Sequence, residues 1–307
     1  MNFFLREQIR IGISACTYGA KVRYNRKGWD RTEKLGRERD AFIWTPICPE
    51  VNSGLGVMRP SVRLAGGNGF DFWDGKAEMV AKKAGNVTAE MKAGMLASLE
   101  ILKRAGVEAF AFMEGSPSCG VYRTTLSKQR LGKPPGAFGA LLLKEQIFLI
   151  PAIDMEAPVK WWDWRRRLHA FVWLQRQDLT GKKQIYEIWN NYKFLCQEID
   201  NTKAREMGRQ LAAMPKRLTK EFAENWRNEV LLLLRRPSTL PRIQASMQKH
   251  FAHYRKHVNP RAKELKPPKK EMSKWAFFEK LLDMEKRAVK EGFHFAGTPV
   301  IYRSDRR

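Results

Sequence analysis

Three short apolar runs in the first half of the chain each end at a cysteine. I-R-I-G-I-S-A-C reaches Cys16 and A-F-I-W-T-P-I-C reaches Cys48, followed at once by Pro49 and Glu50. V-E-A-F-A-F-M, from Val107 to Met113, leads into S-P-S-C-G and Cys119. Runs of this length, rich in Ile, Phe and Val and closed by turn residues, read as strands. Strands are expected at Arg10–Ser14, Phe42–Ile47, Ala109–Met113 and Ile147–Ile150. Between them lies a strong helical pattern in which Met91, Met95, Leu99 and Leu102 recur at helical spacing. Thr88 is its expected N-cap and Gly106 its stop. A shorter helix is expected at Ala137–Glu145. Strand–helix alternation of this kind predicts an α/β domain with a largely parallel sheet.

The composition shifts near Pro151–Pro158, and almost everything beyond reads as helix. The expected segments are Trp161–Gln177, Lys183–Ile199, Ala204–Met214, Leu218–Leu234, Leu240–His257 and Met272–Glu291. The chain therefore divides into an α/β domain over 1–152 and an all-α helical domain over 153–307, with 265–307 as a divergent appendage. No apolar run approaches the ~20 residues of a membrane span. The N-terminal stretch lacks a secretory pattern, so the expected location is the cytoplasm, with no membrane and no obligate protein partner.

Open α/β sheets bind ligands beyond the carboxyl ends of their strands, at a topological switch point. Cys16, Cys48 and Cys119 all sit at such ends and can converge in space. Four cysteines in a chain of 307 residues are not a disulfide framework. Three converging thiolates suit zinc or an iron–sulfur cubane, and buried structural cysteines remain a competing reading. A thiol nucleophile with a histidine base is disfavoured, because residues 1–152 contain no histidine. Cys196, mid-pattern in Y-K-F-L-C-Q-E-I, reads as a buried apolar residue.

The motifs S-A-C-T-Y-G-A-K-V-R-Y-N, T-P-I-C-P-E-V-N-S-G-L-G-V-M-R-P, D-F-W-D-G-K-A and S-P-S-C-G-V resemble, in order and spacing, those of the thiouracil desulfidase family. The resemblance implies a 4Fe-4S cluster with three protein ligands, Cys16, Cys48 and Cys119, and one open iron. It implies acid/base and substrate-handling roles for Glu50 and Ser116. The reaction implied is hydrolytic, non-redox desulfuration of thiolated uracil, with sulfide release. Two loops depart from the family pattern. R-Y-D-G reads Arg23-Tyr24-Asn25-Arg26 here, and a basic K-x-R reads Met113-Glu114-Gly115, which brings a negative charge toward the cluster position. The helical half is similar to the YbgA-like domain, found fused behind desulfidase-type domains in proteins associated with 4-thiouridine in tRNA. The family's F-H-x-x-H-K reads I-W-N-N-Y-K here.

The net charge of +25 points to a polyanionic partner. Residues 1–152 hold 23 Lys+Arg against 14 Asp+Glu, and the remainder 34 against 18. The helical half is thus the expected contact for tRNA or another thiolated RNA. Phosphate contacts are expected from Arg235, Arg236, Arg255 and Lys256, with Lys249 and the Lys266–Lys270 run beside them. W-W-D-W-R-R-R, from Trp161 to Arg167, interleaves rings and arginines as base stacking requires, although rings at helical spacing are more often core. Two other functions remain open on residues alone: a non-enzymatic RNA-binding protein with a structural or redox-sensing cluster, and a zinc-dependent hydrolase.

Overall fold

The computed structural model describes residues 1–125, 133–215, 217–257, 259, 272–291 and 297–303. In chain order the strands are β1 (Phe4–Leu5), β2 (Ile9–Ser14), β3 (Phe42–Ile47), β4 (Val62–Ala65), β5 (Glu78–Ala81), β6 (Gly85–Asn86), β7 (Ala109–Phe112), β8 (Phe148–Pro151) and β9 (Ile301–Tyr302). The helices are α1 (Gly69–Trp73), α2 (Thr88–Arg104), α3 (Ala137–Lys144), α4 (Pro158–Gln175), α5 (Lys182–Ile199), α6 (Asn201–Ala212), α7 (Lys220–Leu234), α8 (Leu240–His257) and α9 (Lys274–Glu291). The fold is therefore α/β followed by helical, as the alternation of patterns predicts. Two compact units result: Gln8–Ala157, and Pro158–Arg307 joined by the first seven residues. Those residues leave the α/β unit because β1 pairs in parallel with β9.

The main sheet of the α/β unit has the order β3-β2-β7-β8, and every pair in it is parallel. β2 is flanked by β3 on one side and β7 on the other, so the connections leave it in opposite directions. That reversal is a switch point, and it opens a crevice at the carboxyl ends of these strands. β7 and β8 are buried along their whole length, which matches their unbroken apolar runs. Met91, Met95, Leu99 and Leu102 of α2 all enter the core with Phe110, Phe112 and Phe138. Each such side chain contributes about 1.5–3 kcal/mol on burial.

Thr88 does not cap α2. It is the first helical residue, and its hydroxyl accepts the Met79 N–H of β5 at 2.9 Å. Gly106 does end the segment, at φ +63°, a conformation that suits glycine. A second, antiparallel sheet of order β4-β5-β6 fills the stretch between Cys48 and α2.

In the helical unit, W-W-D-W-R-R-R belongs to the core. Asp163, Arg166 and Arg167 are nearly inaccessible, and Arg166 also binds Glu198 from α5. The guanidinium groups of Arg166 and Arg167 stack on Trp162 and Trp164, at 4.2 and 4.0 Å from the ring centroids. Burial alone would push the Asp163 carboxyl up, but Arg167 and Arg166 outweigh it and hold it below its usual value. α9 also joins the core: Phe277, Leu281, Met284 and Ala288 pack with Trp162 and with Ile243, Met247 and Phe251 of α8. Among the described residues, no helix is long and apolar enough to cross a membrane.

Candidate metal and catalytic site

Cys16 follows β2, Cys48 follows β3, and Cys119 lies in the loop after β7. These strands are neighbours in the sheet, so three positions far apart in sequence reach one crevice. A cavity of about 300 Å³ is lined by all three cysteines together with Glu50 and Ser116. Cys16 and Cys119 are buried, and Cys48 is half-buried. Burial pushes the Cys16 thiol up to about 11, against the opposing charge of Arg23. Burial and the charge of Glu50 raise Cys48, and burial with the proximity of Cys48 raises Cys119 well above its ordinary value. Cys48 acts on both other thiols and Cys16 on Cys119, as expected of groups sharing a small cavity.

The loops are held by backbone rather than by chance packing. The Ser116 hydroxyl oxygen accepts the N–H groups of Ser118 and Cys119 at 3.3 and 3.2 Å. The free N–H groups at the start of α3 donate to the same loop: Ala137 to the Pro117 carbonyl at 2.9 Å, and Phe138 to that of Ser118 at 2.9 Å. A Cβ at Gly136 would lie 2.6 Å from the Pro117 oxygen, so only glycine lets the helix approach this closely. On the other side, a Cβ at Gly94 would lie 2.3 Å from the Ser53 nitrogen, which seats the segment after Cys48 against α2.

Glu50 is fixed from both sides. Arg59 donates from Nε to Glu50 Oε2 at 2.8 Å, and the same guanidinium binds the carbonyls of Val22 and Gly56. The Ser118 hydroxyl donates to Glu50 Oε1 at 2.6 Å. Arg59 is almost wholly buried, at 6% exposure. No role for Arg59 or Ser118 is legible in the sequence alone, although Arg59 lies inside the T-P-I-C-P-E-V-N-S-G-L-G-V-M-R-P motif and Ser118 inside S-P-S-C-G. Arg23 borders the cavity beside Cys16, and its Nε is buried without a hydrogen-bond partner.

Glu114 is engaged by backbone. Its carboxylate accepts the N–H groups of Tyr122 and Arg123 at 3.2 and 3.1 Å, which staples the loop carrying Cys119 from behind. The negative charge that replaces a basic residue is therefore spent on backbone.

The residues fit a cluster better than a single ion. A lone zinc needs donors at about 2.0–2.3 Å. Among the described residues, no three His, Cys, Asp or Glu side chains are grouped to hold one ion. A cubane instead takes one thiolate on each of several irons, so its ligands stand farther apart around a larger object. The orphaned Arg23 N–H suits an occupant that carries negative charge, as thiolate-ligated clusters do.

Residues 11–153 match the family described as 2-thiouracil desulfurase. No curated protein matches the chain. A solved structure titled 4Fe-4S-dependent thiouracil desulfidase TudS is 27% identical; the match covers 47% of this chain and 91% of that one, with a TM-score of 0.38.

The basic residues expected to meet RNA do not form one group. Arg235 is partly buried over the Phe171 ring at 5.3 Å, and burial lowers it to about 10. Arg236 is paired with Asp200 at 2.9 Å. Arg255 and Lys256 are exposed in the last turn of α8, about 22 Å along that helix from its start at 1.5 Å per residue. Lys266–Lys270 lies outside the described residues. Cys196 is fully buried in α5, and burial pushes its thiol up to about 12.

Proposed function

We propose that this protein is an iron–sulfur-dependent desulfidase that removes sulfur from thiolated uracil by hydrolysis, with 4-thiouridine in tRNA as its substrate. One observation carries the reading: the three thiols and the doubly anchored Glu50 line the same small cavity, in a domain of the thiouracil desulfurase family. Cys16, Cys48 and Cys119 would hold a 4Fe-4S cluster. When bound, the cluster would supply an open iron, a Lewis acid for the thiocarbonyl sulfur.

The overall change is C=S plus water to C=O plus hydrogen sulfide, with no net transfer of electrons. The protein must therefore move protons. Among the described residues, Glu50 is the only carboxylate lining the cavity. Its Oε1 takes the proton of the attacking water, and the Ser118 hydroxyl on that oxygen keeps it aimed. Arg59 holds Oε2 and prevents the carboxylate from swinging away. Ser116 uses its oxygen to shape the Cys119 turn, which leaves its proton free to donate to a substrate carbonyl. The ring of Tyr24, half-exposed and also lining the cavity, offers a face for a planar pyrimidine. The strong positive balance of the helical half, 34 basic against 18 acidic residues, supports RNA as the carrier of the base.

Sulfide release from thiouracil and from 4-thiouridine tRNA tests this reading. Glu50→Gln should retain iron yet lose about 10²–10⁴-fold in rate, and Ser116→Ala should lose less. Normal turnover by Glu50→Gln would remove it as the base. Absence of sulfide from every thiolated substrate with wild-type protein would overturn the function.

A further inference from the structure

A second cavity, about 670 Å³, lies within the helical unit, and its lining draws on α5, α6 and α8. This volume is within the range of about 300–1,000 Å³ found for small-molecule sites. Its walls carry Arg205 from α6 and Arg242 and Lys249 from α8. Among the described residues, Glu198 is the only carboxylate in the lining, and it is already bound by Arg166 in the core. Arg205 and Lys249 are exposed, and neither has an acidic partner among the described residues. Arg242 donates one N–H to the Ile199 carbonyl at 2.6 Å, which anchors its guanidinium and leaves further donors for a ligand. Among the described residues, the cavity thus holds three cations and one carboxylate that is already paired.

One wall is aromatic. Phe194 is 46% exposed and meets the His250 ring edge-on, with centroids 6.0 Å apart. This large ring stands exposed beside three cations, with Lys193 Nζ 5.2 Å from its centroid. It is well suited to stack an unpaired base while the cations meet the flanking phosphates. Burial, reinforced by Arg166, His253 and Lys249, pushes His250 down to about 4 despite Glu198. The ring beside Phe194 is therefore neutral near pH 7.

We propose that this cleft binds an unpaired nucleotide of an RNA strand, with its base on Phe194 and its phosphates on Arg205, Arg242 and Lys249. The inference rests on the RNA reading above and gives it a location that Arg235 and Arg236 do not.

The test is binding of an unmodified tRNA transcript, which contains no sulfur, to the full-length protein across a salt series. Arg205→Glu with Lys249→Glu should weaken binding at least about tenfold and reduce the salt slope by about two. Phe194→Ala should weaken it about 5–50-fold with the slope unchanged, and Phe194→Trp should restore it. Thermal melts check that each variant is folded. Unchanged tRNA affinity in the charge-reversed and Phe194→Ala proteins would overturn the proposal. So would uridine monophosphate binding the cleft as tightly as the transcript, since the site would then serve a free nucleotide. Because the probe has no sulfur, failure of the desulfidase reading would leave this result standing. Intact sulfide release from thiouracil alongside a negative result would indict the cleft alone.

Discussion

The two units use charge in opposite ways. In the α/β unit the core is apolar, and the charged groups that matter, Glu50 and Arg59, stand at its edge beside the cysteine loops. In the helical unit a four-membered network of Asp163, Arg166, Arg167 and Glu198 sits inside the core, while Arg205 and Lys249 stand exposed at a cleft. In one unit the buried charges line a cavity beside the cysteines. In the other they tie helices together, and the cations at the cleft stand outside that network. A basic, aromatic motif is therefore no guide to nucleic-acid contact until its acidic partners are known.

The largest effect that could break this contrast comes from Asp163. Asp163→Ala leaves Arg166 and Arg167 short of a buried counter-charge, and breaking such a pair costs about 3–5 kcal/mol. Thermal unfolding of the helical unit should fall steeply, while isolated changes at the cysteine loops should leave it alone. A variant as stable as wild type would show that the network is not what holds these helices.

A smaller effect follows from histidine. The α/β unit has none. In the helical unit, burial and then Arg165 push His169 down to about 3, and burial pushes His250 down to about 4. Both folded values lie below the unfolded value of about 6.5, so the unfolded chain binds more protons in acid. The stability these groups confer is complete above about pH 6.5 and is lost as pH falls toward 4 and 3. Hydrogen exchange corrected for intrinsic rates should show the helical unit losing protection first between pH 7 and pH 5. If the α/β unit loosens first, buried histidine is not the acid-sensitive element.

Much of the α/β unit is legible in the sequence, because β2, β3, β7 and β8 are compact apolar runs closed by turn residues. The cysteines at their ends follow from the same signal. The β4–β6 sheet is not legible, since V-R-L-A and E-M-V-A mix polar and apolar positions over four residues each. The β1–β9 pair joins two-residue strands at opposite ends of the chain, which no local pattern announces. Arg59 sits in the Cys48 motif, yet its partner is not legible, because the pairing depends on the chain folding back across nine positions to Glu50. The cations of the cleft come from α6 and α8, and each reads alone as a solvated helix face. Only packing gathers them.

Iron and acid-labile sulfide analysis of anaerobically prepared protein tests the central claim, that three strand-end thiols hold a cluster, most directly. About four irons and four sulfides per chain are expected, with broad visible absorption. Cys196→Ser should keep them, and serine at Cys16, Cys48 or Cys119 should lose or destabilise them. Stoichiometric zinc without iron, or a cluster indifferent to those three positions, would contradict the account.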